Sequence, residues 1–123
     1  MKAGLVIYTS SIHHLTSFYS HVFGFEVIES DDTYALLSGG EFELVLLETE
    51  AAKSSVISFE PRETTPLKPV FFSDLPLTLI SERVKDKGGS VYPPKHWDFR
   101  GHQVCDAYDC EGNIFQLRIN RNA

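Results

Sequence analysis

A strand, a helix and three further strands can be read along residues 1–50 of this chain, and the same order can be read again along residues 67–121. That internal duplication constrains the fold more than any composition does. Neither half can bury both its helix and its sheet alone, so the two halves are expected to form one domain around a shared core. Each fully buried Leu or Phe contributes about 1.5–3 kcal/mol, which makes joining the two sheets the economical outcome. Two copies are a duplication and not an array, since repeat arrays need about three or more units.

The first half opens with a β-branched, aromatic strand at residues 3–9. Ser10 and Ser11 offer N-caps to a helix in which Ile12, Leu15, Tyr19 and Val22 recur at helical spacing, with Phe18 and Phe23 widening the stripe. Gly24 stands where a left-handed residue closes that helix. Strands follow at 25–29, 33–37 and 41–49, separated by turns at Asp31-Asp32 and Gly39-Gly40. Residues 51–66 are rich in Ala, Ser, Glu and Thr, with two prolines, and read as a linker. Only 56–59 looks strand-like there, and the linker is expected to carry a short helix or an edge strand. In the second half a strand at 69–72 precedes a helix with Asp74 as N-cap and Pro76 in its first turn. Leu77, Ile80 and Val84 form its apolar stripe, and Gly88-Gly89 stop it. Strands at 90–92, 102–108 and 113–119 complete the repeat, the last two joined by a turn over 109–113. Laid over one another, the halves pair Ser11 with Asp74 and Tyr8 with Phe71.

Strand residues alternate faces, so inward and outward sets can be assigned. Phe115, Leu117 and Ile119 belong under a helix, which leaves Ile114, Gln116 and Arg118 on the opposite, mixed face. Leu5 and Ile7 share one face of the first strand, while Gly4, Val6 and Tyr8 share the other. If Leu44 and Leu46 are core, Glu43 faces the cleft. Tyr8 and Phe71 are then expected to flank one cavity. The alternative is that these mixed faces are solvated sheet surface, as antiparallel sheets often allow.

Charge and composition narrow the partners. A formal charge of −6 without a Lys/Arg cluster argues against nucleic acid and anionic membrane surfaces, while leaving room for a local basic spot on one anionic ligand. The longest apolar runs, such as 44–47, are too short to span a bilayer. No signal-peptide pattern follows Met1-Lys2, so a cytoplasmic location is expected. Cys105 and Cys110 read as reduced thiols, since the spacing is not that of a CxxC zinc pair and no second pair exists.

Ser17-Phe18-Tyr19, followed by Val22-Phe23-Gly24-Phe25-Glu26-Val27, resembles the FY…LGFxV helix-to-strand signature of the vicinal oxygen chelate superfamily. The segment from Asp109 to Leu117 resembles its DPxGNxxEL ending, and Ser73-Asp74-Leu75 fits the start of its second helix. That superfamily contains glyoxalase I, extradiol dioxygenases, fosfomycin-modifying enzymes and bleomycin-resistance binding proteins. The resemblance implies an α+β fold of two βαβββ modules, forming a curved mixed sheet around a cleft. It also implies a divalent metal held by His or Glu from both halves. Carried over by position, those ligands fall on Gly4, Leu67 and Gln116, with Glu43 as the fourth-strand candidate. Gly and Leu offer no donor, and a neutral amide is a poor substitute for a carboxylate. A catalytic zinc-type site needs about three protein ligands. No metal and no cofactor are therefore expected. A set recruited from His96, His102 and Asp106 is the alternative, though nothing in the spacing requires it.

The resemblance then points to the ligand-sequestering branch, whose members bind in an aromatic-lined groove, commonly between two subunits. The loop over 95–102 offers Trp97, Phe99, Arg100 and His102, either as a lid over the ligand or as simple anchors for a long loop. The expected function is metal-independent binding of a small aromatic or anionic molecule by a homodimer. Tyr8, Glu43, Phe71, Trp97, Phe99, Arg100, His102, Gln116 and Arg118 are the expected contacts. The runner-up is a metal-dependent lyase, isomerase or dioxygenase with relocated ligands. A third reading, an interaction module, requires a closed or wholly apolar cleft.

Overall fold

The computed structural model describes residues 1–49 and 61–122. The strand-like stretch expected at 56–59, and most of the expected linker, lie outside the described residues. The chain divides into two compact units, Met1–Ser58 and Phe59–Ala123, each with its own sheet and helix.

In the first unit, β1 (Ala3–Thr9), α1 (Ile12–Phe23), β2 (Glu26–Ser30), β3 (Tyr34–Gly39) and β4 (Phe42–Glu48) follow in order. The sheet runs β1-β4-β3-β2, with β1 parallel to β4 and the other pairs antiparallel. The helix forms as its caps direct. Ser11 Oγ accepts the His14 N–H, and Gly24 takes φ 72° at the C-terminus. Its stripe of Ile12, Leu15, Phe18, Tyr19 and Val22 is buried with Leu37, Leu44 and Leu46. The Asp31 carboxylate closes the first hairpin by accepting from the Thr33 and Tyr34 N–H groups, and Gly40 at φ 72° closes the second.

The second unit carries β5 (Val70–Ser73), α2 (Leu77–Asp86), β6 (Ser90–Val91), β7 (Asp98–Phe99), β8 (His102–Tyr108) and β9 (Ile114–Asn120). Its sheet runs β5-β9-β8-β6, again with one parallel pair, β5 and β9, and β7 also pairs with β8. The DxxGN-like turn has a clear mechanical role. The buried Asp109 carboxylate accepts from the N–H groups of Glu111 and Asn113 and from the Asn113 amide, while Gly112 supplies φ 83°. That turn sets the β8–β9 register in which Asp106 faces Gln116.

Two expectations are corrected here. Asp74 is not the helix N-cap; α2 starts at Leu77 after Pro76, and the Asp74 carboxylate accepts from the Asn120 amide at 3.3 Å. The 95–102 segment is not a free lid. Its Asp98–Phe99 portion is a strand on β8, and the Arg121 guanidinium grips the Asp98 carboxylate through two hydrogen bonds of 2.7 and 3.1 Å. No helix among the described residues is long and apolar enough to cross a membrane.

The strand ends also reset the internal correspondence. Thr9 Oγ1 accepts the Ser11 N–H at 2.9 Å, and Ser73 Oγ accepts the Leu75 N–H at 3.0 Å, the same turn leaving β1 and β5. Thr9 therefore corresponds to Ser73, Tyr8 to Phe72, Val6 to Val70 and Gly4 to Lys68. Across the parallel pairs, Val6 stands beside Val45 as Val70 stands beside Gln116, so Val45 is the counterpart of Gln116.

At Gly4 the strands approach closely: a Cβ there would lie 2.8 Å from the Glu43 carbonyl oxygen. Gly4→Ala is expected to lower stability by about 1–3 kcal/mol in urea denaturation, because the backbone of β1 or β4 must shift. Unchanged stability would show that the strands separate there without cost.

Candidate functional site

The candidate face lies on the sheet of the second unit, opposite α2. Register places His102, Val104, Asp106 and Tyr108 of β8 beside Asn120, Arg118, Gln116 and Ile114 of β9, with Val70 and Phe72 of β5 on the same face. The other face carries Phe115, Leu117 and Ile119, buried with Ile80 and Val84 of α2.

On that polar face, Asp106 is only 1% exposed yet carries a charge. Burial pushes its carboxyl up, but hydrogen bonds from Gln116 and Lys68, the Lys68 charge and Lys95 together hold it below the ordinary carboxylate value. Lys68 Nζ lies 3.0 Å and Lys95 Nζ 3.3 Å from Asp106 Oδ2, while Gln116 Nε2 donates to Oδ1 at 3.2 Å. Lys95 also reaches Glu63 at 2.6 Å, and this bond leads the causes that raise its ammonium above the usual lysine value. The Tyr92 hydroxyl donates to the Pro61 carbonyl at 3.4 Å, so residues 61–68 are tied to the same face.

The network extends outward through one amide. Gln116 Oε1 accepts from Arg118 Nε at 3.1 Å. The Arg118 guanidinium then lies over the Phe99 ring, 4.4 Å from its centroid, and 5.9 Å from that of Phe72. Phe72 meets the His102 ring edge-on at 5.4 Å, and His102 Nδ1 is 3.2 Å from the Arg100 carbonyl oxygen. Phe72, Phe99, Arg100, His102 and Arg118 together line an open cavity of about 360 Å³. Cavities of roughly 300–1,000 Å³ hold small molecules. A guanidinium over an aromatic ring, with its Nε occupied, keeps its terminal N–H groups as donors for a ligand.

The structure thus brings Phe99, Arg100, His102 and Arg118 together, with Gln116 one hydrogen bond behind them. Phe71 is corrected. It lies on the helix-facing side, 8% exposed, against Phe115 with centroids 5.7 Å apart. Its neighbour Phe72, missed in the sequence, lines the cavity instead; a one-residue slip in a strand exchanges faces. Trp97 is exposed and is not part of the cavity wall. Tyr8 and Glu43 lie in the first unit, on the exposed face of β1 and the outward face of β4, and Glu43 pairs with Lys2 at 2.6 Å.

The metal positions implied by the resemblance hold no suitable donor set. Gly4 has no side chain, and its counterpart in the second unit is Lys68, not the exposed Leu67. The register also replaces Glu43: Val45 is the counterpart of Gln116. The Gln116 amide is itself engaged by Asp106 and Arg118. Among the described residues, no three His, Cys, Asp or Glu side chains group to hold an ion. Cys105 and Cys110 are free thiols. Burial raises both, and together with Asp109 and Glu111 it pushes Cys110 up to about 11, so neither is a thiolate near neutrality.

Because the Asp106 value is depressed in the folded state, its stabilising contribution is full above the unfolded value of 3.8 and is lost as pH falls further. Lys95 is raised, so its contribution is full below 10.5 and is lost as pH rises through the folded value. Asp106→Asn is expected to cost about 1–3 kcal/mol at pH 7, less than for a fully buried pair because both lysines reach solvent. In denaturation at pH values progressively below 3.8 the gap to the parent protein should narrow. A gap independent of pH would show that packing, not charge, holds the cluster.

Comparison with known proteins agrees with this architecture. The profile of the Glyoxalase/Bleomycin resistance protein/Dioxygenase superfamily matches residues 3–117. Among curated protein sequences, none matches. A fosfomycin resistance protein, FosX, from Mesorhizobium loti is 16% identical with a TM-score of 0.69, over 98% of this chain and 90% of that one. An integron cassette protein of the V. cholerae mobile metagenome is 19% identical, with a TM-score of 0.66 over 97% and 94% of the two chains. Lactoylglutathione lyase from Agrobacterium tumefaciens is 18% identical, with a TM-score of 0.64 over 97% and 92%. At such identities the structural likeness speaks for the fold alone, but the profile spans nearly the whole sequence: the chain belongs to the Glyoxalase/Bleomycin resistance protein/Dioxygenase superfamily.

Proposed function

We propose that this protein binds a small organic molecule without a metal, in the cavity bounded by Phe72, Phe99, Arg100, His102 and Arg118. The observation that carries the reading is the cavity itself: two exposed phenylalanines and two arginines converge there, and a salt-bridged network fixes one of the arginines from behind. Exposed aromatic pairs rimmed by charge are typical of binding surfaces. The interaction-module reading loses ground, since the cavity is open and partly cationic. Relocation of a metal to His96, His102 and Asp106 also loses ground, because Lys68 and Lys95 already compensate the Asp106 carboxylate.

The superfamily also contains enzymes, so binding and turnover must be separated. The residues at this cavity supply recognition: rings for a flat apolar body, guanidinium groups for negative charge, and an imidazole for a polar group. They include no activated nucleophile. Titrating a mixed library of planar small molecules into isotope-labelled protein should shift the amide resonances of Phe72, Phe99, His102 and Arg118 first, with the compounds recovered unchanged. Shifts confined to the first unit, around Tyr8 and Glu43, would place the site elsewhere.

A further inference from the structure

We propose that this cavity is specific for small organic acids, and that Arg100 is the residue that selects the negative charge. The proposal deepens the binding reading above and rests on it. Arg100 and Gly101 are the two central residues of the hairpin joining β7 to β8, with φ of 51° and 80°. A two-residue hairpin with both central φ values positive favours Asn, Asp or Gly at its first position. A long side chain there is strained, and strained non-glycine residues cluster at functional sites. Here the strained residue lines the cavity together with His102 and Arg118.

The surroundings sharpen the choice of ligand. Among the described residues neither Arg100 nor Arg118 has a carboxylate partner, although the chain carries 17 acidic residues against 11 Lys and Arg. The adjacent Asp98 does not serve Arg100, because Arg121 takes both of its oxygens. Two guanidinium groups on one small cavity repel one another until an anion lies between them. Arg118 is also oriented in advance, through Gln116 Oε1 and the Phe99 ring. A planar oxyanion such as a carboxylate, or a phosphate on a flat body, matches this arrangement: the anionic group at the arginines and the apolar body on Phe72 and Phe99.

Calorimetric titration with benzoate, phenylphosphate and the neutral isostere benzamide tests the proposal. Both anions are expected to bind, the tighter one identifying the preferred oxyanion, with benzamide at least about tenfold weaker, the scale of one charge-assisted hydrogen bond. Arg118→Gln and Arg100→Asn should each weaken both anions about tenfold or more, while Lys85→Gln on α2 leaves them unchanged. Arg100→Asn should at the same time raise Tm by a few degrees, because Asn tolerates the left-handed backbone. That opposition of stability and affinity would not arise from a merely structural arginine. Benzamide binding as tightly as benzoate would overturn the anion selectivity while leaving the cavity a ligand site, which the resonance mapping decides separately. Unchanged anion affinity in Arg100→Asn, or no binding of either anion at millimolar concentration, would also overturn the proposal.

Discussion

A carboxylate buried on a β-sheet stays charged only where cations and donors replace its lost water, and Asp106 meets that condition with Lys68, Lys95 and Gln116. Much of the second unit's polar face is organised around it. Lys68 leads into β5, Lys95 follows the Pro93-Pro94 stretch, and Glu63 ties the preceding segment to Lys95. The same carboxylate orients the Gln116 amide, whose oxygen then points at Arg118. Breaking such a cluster by removing one partner costs more than the cluster contributes when intact, because the remaining charges are left facing each other. The cavity therefore depends on an ion cluster that does not itself line it.

The proposed binding reading amounts to a change of cation. In the superfamily's enzymes a divalent metal supplies positive charge, with carboxylates and imidazoles as its ligands. Here the equivalent face carries ammonium groups, an amide and, further out, guanidinium groups. Lys68 occupies the counterpart position of Gly4, and Gln116 stands where the family's last carboxylate would be. On that proposal, positive charge is covalently attached rather than recruited. Such a face suits recognition of an anion better than polarisation of a carbonyl or activation of water.

Much of this was legible in the sequence, for reasons that can be stated residue by residue. The helix over 12–23 was readable because Ser11 and Gly24 are capping residues and the stripe between them is unbroken. The core face of β9 was readable because Phe115, Leu117 and Ile119 alternate without exception, which puts Gln116 and Arg118 on the opposite side. The exchange of Phe71 for Phe72 has a single cause. Both residues are phenylalanine, so parity rested on the internal alignment, and that alignment was anchored on Asp74 as a helix cap. The helix in fact starts after Pro76, which makes the loop leaving β5 longer than the one leaving β1. The strand at Asp98–Phe99 escaped notice because two residues carry no period, and its anchor, Arg121, lies 23 residues away. The Asp106 cluster was equally hidden, since Lys68, Lys95 and Asp106 meet only through strand register.

The central claim is that fixed side-chain cations, and not a metal, define the chemistry of this face. Equilibrium dialysis of the purified protein against zinc, manganese and nickel salts, followed by elemental analysis, addresses it most directly. The account predicts metal far below one ion per chain, and no change in that value on Asp106→Asn. Close to one tightly held ion per chain, lost when Gln116 or His102 is replaced by alanine, would contradict it.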